Sequence, residues 1–209
     1  MASPQVVLHG SPAYLREARK AKWLSWVSLA YMSIEGVVAV AAGIVAGSIA
    51  LIGFGLDSAI EGFASIVIVW RFTGWRTLSQ EAELRAQKLV AVQFFILAPY
   101  VAYESGRALI EGARPEESMV GIVLAATSLV LMPMLGRAKQ RIGARIGSSA
   151  TASEGKQNLL CAYLAGAVLV GLLGNALFGA WWLDPIVGLL IAGVAIREGR
   201  ESWRGEACC

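Results

Sequence analysis

Apolar positions in this chain fall into long runs, not into the alternation of a half-buried strand or the single stripe of a surface helix. Six runs read as membrane-crossing helices: about 24–46, 48–72, 89–109, 119–135, 157–182 and 184–196. The sixth stays strictly apolar only to Ile196, so its last turns are expected in the headgroup region. Between the runs lie a polar tail (1–22), a turn at Gly47, a mixed charged loop (73–88) with helix as its alternative, and a short loop, GARPEES (112–118). A basic, small-residue linker covers 136–157. The pattern predicts an all-α integral membrane protein with a tail over 1–22, a six-span domain over 23–203 and a second tail over 204–209.

Six spans put both termini on one side, and charge says which. Of 18 Lys and Arg, 16 fall in the first tail, the 2–3 loop, the 4–5 linker and the final segment. Only Arg107 and Arg114 fall on the other side. Basic residues mark the cytoplasmic face, so both ends are expected in the cytoplasm. All seven tryptophans lie near span ends, as an interfacial belt requires. Composition agrees: 56% of the 209 residues are hydrophobic, mean hydropathy is +0.61, and 16% are charged, against roughly 25% in soluble domains. The first 22 residues contain no apolar run, so no cleaved signal peptide is expected. Three cysteines, two of them at positions 208 and 209, do not suggest a disulfide framework.

The second span carries Asp57 and Glu61 near its middle. Four residues apart, they project from one helix face, one turn above the other. A carboxylate at mid-membrane depth costs roughly 2.5–3.5 kcal/mol on insertion scales, and two together also repel. A cation is the simplest partner that offsets both. The fifth span offers a complementary face in Glu154, Gln157 and Cys161, spaced three and four apart. Spans 2 and 5 run in opposite directions, so pairing could bring Asp57 level with Cys161 and Glu61 level with Gln157. Two carboxylates, a thiolate and an amide oxygen make a four-ligand set of the tetrahedral kind that suits zinc or a neighbour. Depth strains this pairing: Asp57 lies about 13 Å from the outer end of its span, Cys161 about 30 Å from Trp181. Span 5 must then project outward or tilt.

The stretch GFGLDSAIEGFAS resembles the second span of the cation diffusion facilitator (cation efflux) family, in which one acid is followed four residues later by another. It is most similar to the short six-span relatives, where a GF-x-x-DS stretch precedes WR. Trp182-Leu183-Asp184-Pro185 with GLLIAGVAIREG is similar to the family's connection between spans 5 and 6. The resemblance implies a site between spans 2 and 5, export from the cytoplasm and a homodimer. The family's fifth span reads Ala-Asp-x-x-His-x-x-x-Asp; here Glu154 takes the first acidic position, Gln157 replaces the His and Cys161 the last Asp. The chain stops soon after span 6, so the family's cytoplasmic metal-binding domain is not expected.

Glu35 in span 1 and Glu104 in span 3 are further intramembrane acids, a type that marks ion or proton paths, and Glu154 joins them. Arg107 offers Glu104 a partner. His9, the only histidine, reads as a solvated tail residue, Asn175 as an interhelical hydrogen bond, Asp184 before Pro185 as a helix start. Gly43 and Gly47 suit close helix packing. There is no phosphate loop, nucleophile–base pair or ATPase module, so an enzyme is not expected and transport would run on a gradient. The sequence reading is a secondary transporter of divalent metal cations, zinc or a similar transition metal, with protons as counter-ion and no organic cofactor or nucleic acid. Its expected place is a bacterial-type plasma (inner) membrane. The rival is a membrane protein that binds metal, or regulates a partner, without moving ions.

Overall fold

The computed structural model describes residues 7–46, 49–112, 119–178 and 182–204. Among these the elements are α1 (Pro12–Ala46), α2 (Ile49–Arg71), a 3-10 turn (Gly74–Leu78), α3 (Gln80–Glu111), α4 (Met119–Ile146), α5 (Ser149–Phe178) and α6 (Leu183–Arg204). Pro12–Ala42, α3 and α4 are long and apolar enough, on the described residues alone, to cross a membrane.

Two expected irregular segments are helical. The polar tail joins α1 from Pro12, because Tyr14, Ala18, Ala21, Ser25, Ser28 and Met32 form one buried stripe at spacings of three and four. The linker over 136–157 is corrected more sharply. α4 runs on to Ile146 and α5 begins at Ser149. Gly136, Lys139, Gly143 and Ile146 continue the buried face of α4, while arginines occupy the positions between. α4 stops at Gly147, whose φ of 65° lies in the left-handed region that glycine adopts without strain. Over 73–88 the helical alternative holds: a 3-10 turn is followed by α3, which Ser79 caps by accepting from the Ala82 amide at 3.1 Å. α3 and α4 remain continuous through Pro99 and Pro133.

The main helix pairings are α1 with α2, α4 with α5, and α3 with α6. In the first two, glycine faces glycine. A Cβ on Gly36 would lie 3.1 Å from the Gly55 carbonyl, and one on Gly55 2.8 Å from the Gly36 carbonyl. The same reciprocal contact joins Gly136 and Gly155, at 2.7 and 2.6 Å. The two crossings are 100 positions apart in sequence. Of the 32 positions from 24 to 55, ten carry the same residue 100 positions later, among them Ser28, Met32, Gly36, Gly43 and Gly55. The chain therefore contains a repeat in which α1–α2 corresponds to α4–α5. The second copy begins three helices after the first and runs in the opposite sense: contacts from Ser28 to Lys139 and from Glu35 to Ser128 show α1 antiparallel to α4.

Register is fixed at the end of the bundle where α1 begins, α2 ends and α5 begins, called here the basic end. Glu83 accepts from Arg71 Nε at 2.8 Å, Ser148 Oγ at 2.9 Å and the Ala150 amide at 3.0 Å. One carboxylate thus ties the last residue of α2 to the first turn of α5. Gly136→Ala is expected to destabilise the protein by about 1–3 kcal/mol through overpacking, while Gly106→Ala, which meets nothing within 4 Å, leaves the melting temperature in detergent unchanged.

Candidate metal centre

The register set by Glu83 decides which side chains meet. At the helical rise, Asp57 lies about 21 Å and Glu61 about 15 Å from the basic end of α2. Cys161 lies about 18 Å and Gln157 about 12 Å from the basic end of α5. The depth conflict dissolves because α5, with 30 residues against 23, extends further at the opposite end. Asp57, Glu61 and Cys161 are all buried, and their ligand atoms lie within 4.8 Å of one another. Tetrahedral ligands around a metal with bonds of about 2.0–2.3 Å stand roughly 3.3–3.8 Å apart, so a contraction of at most about 1.5 Å closes the three around an ion.

Their hydrogen bonding is incomplete. Asp57 Oδ1, both oxygens of Glu61 and both polar atoms of Gln157 are buried without a partner in the protein. Native structures leave few such atoms, and each unsatisfied buried group costs about 1–3 kcal/mol, more if charged. These five belong to the two facing helices. In the repeat, Asp57 and Gln157 each follow the crossing glycine by two residues, Glu61 and Cys161 by six. The centre is thus built from equivalent positions of the two copies, hard carboxylates from one and an amide and a thiol from the other.

The remaining acids are placed differently. Glu35 is buried and fully bonded: its carboxylate accepts from Tyr31 Oη at 3.0 Å, Ser58 Oγ at 2.9 Å and Ser128 Oγ. Ser58 is level with the centre, while Gly36, next to Glu35, crosses Gly55, about 3 Å farther from the basic end than Asp57, so the Glu35 carboxylate flanks the centre on the side away from the basic end. Glu154 does not join Asp57, Glu61 and Cys161 but forms an ion pair with Lys139, Nζ to Oε1 2.7 Å, both buried. Glu104 sits half-buried on α3, one turn beyond Tyr100, which lies within electrostatic reach of both Asp57 and Glu104. The expected partner of Glu104 goes elsewhere: Arg107 Nε bonds Glu111 at 2.8 Å. Cys208 and Cys209 lie outside the described residues, as do the side chains of Asn175 and Asp184.

Lys139 is the residue that the sequence reading missed. It was counted among loop charges, yet it is wholly buried and lies within electrostatic reach of Glu61. The cue was available, since Lys139 falls on the same α4 stripe as Ser128, Met132 and Gly136.

A family model described as Cation efflux transmembrane domain matches residues 25–204. The chain belongs to the cation efflux family and is an integral, multi-pass membrane protein. Transmembrane protein 163 of Xenopus laevis is 24% identical over 183 residues, covering 87% of this chain and 65% of that protein. The chain thus spans just under two thirds of that relative's length.

Loss of a ligand should exceed the roughly 10–100-fold loss of metal affinity that follows removal of an outer-shell partner. Glu61→Gln is therefore expected to abolish zinc binding in detergent by isothermal titration. Cys161→Ser, which replaces soft sulfur by hard oxygen, should weaken cadmium binding more than manganese binding.

Proposed function

We propose that the protein is a secondary transporter of a divalent transition-metal cation, zinc or a close neighbour, bound by Asp57, Glu61 and Cys161 with Gln157 as a fourth, neutral ligand. The observation that carries this reading is the convergence of three ligand atoms within 4.8 Å, two from α2 and one from α5, where Asp57 Oδ1 and both Glu61 oxygens are buried without a hydrogen-bond partner in the protein. The inverted repeat supports movement as well as binding. Transporters built this way hold substrate where the repeats meet and expose it to either side by rocking one against the other.

In this proposal six helices cross the bilayer and the basic end faces the cytoplasm, a reading that the distribution of Lys and Arg supports. Protons are the counter-ion, because a carboxylate or thiolate that gives up metal can take up a proton. The same competition gives the pH dependence its sign: protons displace metal, so affinity falls as pH is lowered. Export from the cytoplasm and a homodimer come to the proposal from the family.

Purified protein in liposomes, given zinc outside and a pH gradient, should accumulate zinc, and Asp57→Ala with Glu61→Ala should reduce the flux to that of empty liposomes. Unchanged flux in that variant overturns the site. Zinc binding in detergent without flux in any gradient favours the non-transporting rival. Zinc affinity measured between about pH 8 and about pH 6 should decline with acidification.

A further inference from the structure

Two bonded networks bracket the metal centre along the helix axes. Away from the basic end stands the Glu35 cluster, which joins α1, α2 and α4 through hydroxyls. Toward the basic end stands a charged network. Lys139 Nζ donates to Ser28 Oγ at 2.6 Å, Glu154 Oε1 at 2.7 Å and Asn158 Oδ1 at 3.0 Å. Ser25 Oγ donates to Glu154 Oε2 at 2.8 Å. Both sides of the ion pair are therefore tied to α1.

Three observations give this network a role beyond stability. Glu154 lies about 4.5 Å nearer the basic end than Gln157 and about 10 Å nearer than Cys161, so the network stands between the centre and that end. At the equivalent positions of the other copy the chain has Ala39 and Phe54, so a helix crossing of this kind holds without an ion pair. Buried pairs add little net stability over apolar residues of similar volume, and a switch is among their better-attested uses. Finally, Ser153, Gln157 and Cys161 are four apart on one stripe of α5, and Ser153 Oγ and both Gln157 polar atoms are buried without protein partners. That stripe is a polar track leading from the basic end to the metal centre.

We propose that Lys139 and Glu154, fastened to α1 by Ser25 and Ser28, are the gate between the metal centre and the basic end. When α1 separates from α4 and α5 there, water takes over the two serine bonds and reaches the Lys139–Glu154 pair, and the ion passes along Ser153 and Gln157 to Cys161. While the gate is shut the buried ammonium repels an approaching cation; once it turns away, the Glu154 carboxylate attracts one. The inference rests on the metal centre and orientation proposed above.

Cys161 is a native reporter. With Cys208→Ser and Cys209→Ser it is the only thiol left among the three cysteines. A membrane-impermeant cationic thiosulfonate is applied from one side or the other to oriented proteoliposomes. Saturating zinc should slow labelling of Cys161; if it does not, the metal centre itself is overturned. Lys139→Gln should speed labelling from the basic-end side alone. Ser25→Ala with Ser28→Ala, which leaves the ion pair intact, should do the same by about tenfold, equivalent to about 1.4 kcal/mol. Acceleration from both sides alike, or none in the serine variant while zinc still protects, overturns the gate.

Discussion

Three carboxylate oxygens of Asp57 and Glu61 that the bundle buries without a hydrogen bond are the constraint on which the architecture turns. The other buried acids show that this is not general neglect of polar groups. Glu35 accepts from three hydroxyls, Glu154 has Lys139 and Ser25, and Glu83, though partly exposed, gathers Arg71, Ser148 and an amide. Asp57 Oδ1 and both oxygens of Glu61 have nothing, and they lie beside a buried thiol. In a medium where a single mid-depth charge costs roughly 2.5–3.5 kcal/mol, the pattern makes sense for a centre whose missing partner arrives from outside.

Holding those groups in place requires helices that approach closely and cannot slide. The glycine crossings supply the approach: with backbone carbonyls about 3 Å or less from where a Cβ would stand, no larger residue fits without displacement. Glu83 supplies the register. A shift of α2 against α5 by one residue would move Glu61 by about 1.5 Å along the axis and turn it by roughly 100°, enough to carry it away from Cys161. Packing and chemistry are therefore linked through a carboxylate at the bundle end.

Much of this was legible in the chain. Each run of apolar residues overlaps one of the six described helices, with 48–72 and 157–182 reaching past the described ends of α2 and α5, and the spacing of Asp57 with Glu61 and of Gln157 with Cys161 marked the two faces that meet. What stayed hidden has a common cause. Where a helix leaves the apolar zone, its buried stripe is made of Gly, Ala, Ser and Lys, and the arginines between them dominate any average. Hence 136–157 read as a linker, and Lys139 as a loop charge. The depth difference at Cys161 is met as the spacing demanded, by an α5 that extends further than α2 at the end away from the basic end. The repeat is written in the sequence at a fixed offset of 100, but five of its ten identities are Gly or Ala, which any tightly packed membrane bundle uses freely.

The repeat also exposes where the two halves have ceased to be alike. At one crossing the flanking positions are Glu35, Ala39 and Phe54; at the other they are Leu135, Lys139 and Glu154. A hydroxyl-bonded carboxylate therefore stands on one side of the centre and a lysine–glutamate pair on the other. Separating helices at the first crossing breaks hydrogen bonds around a single charge. Separating them at the second exposes two opposite charges, each of which water solvates strongly once it is admitted. The two crossings share the same reciprocal glycine approach, but the energy of opening them differs, so side chains alone can set which end of the bundle is closed at rest while the shared crossings keep the metal centre intact.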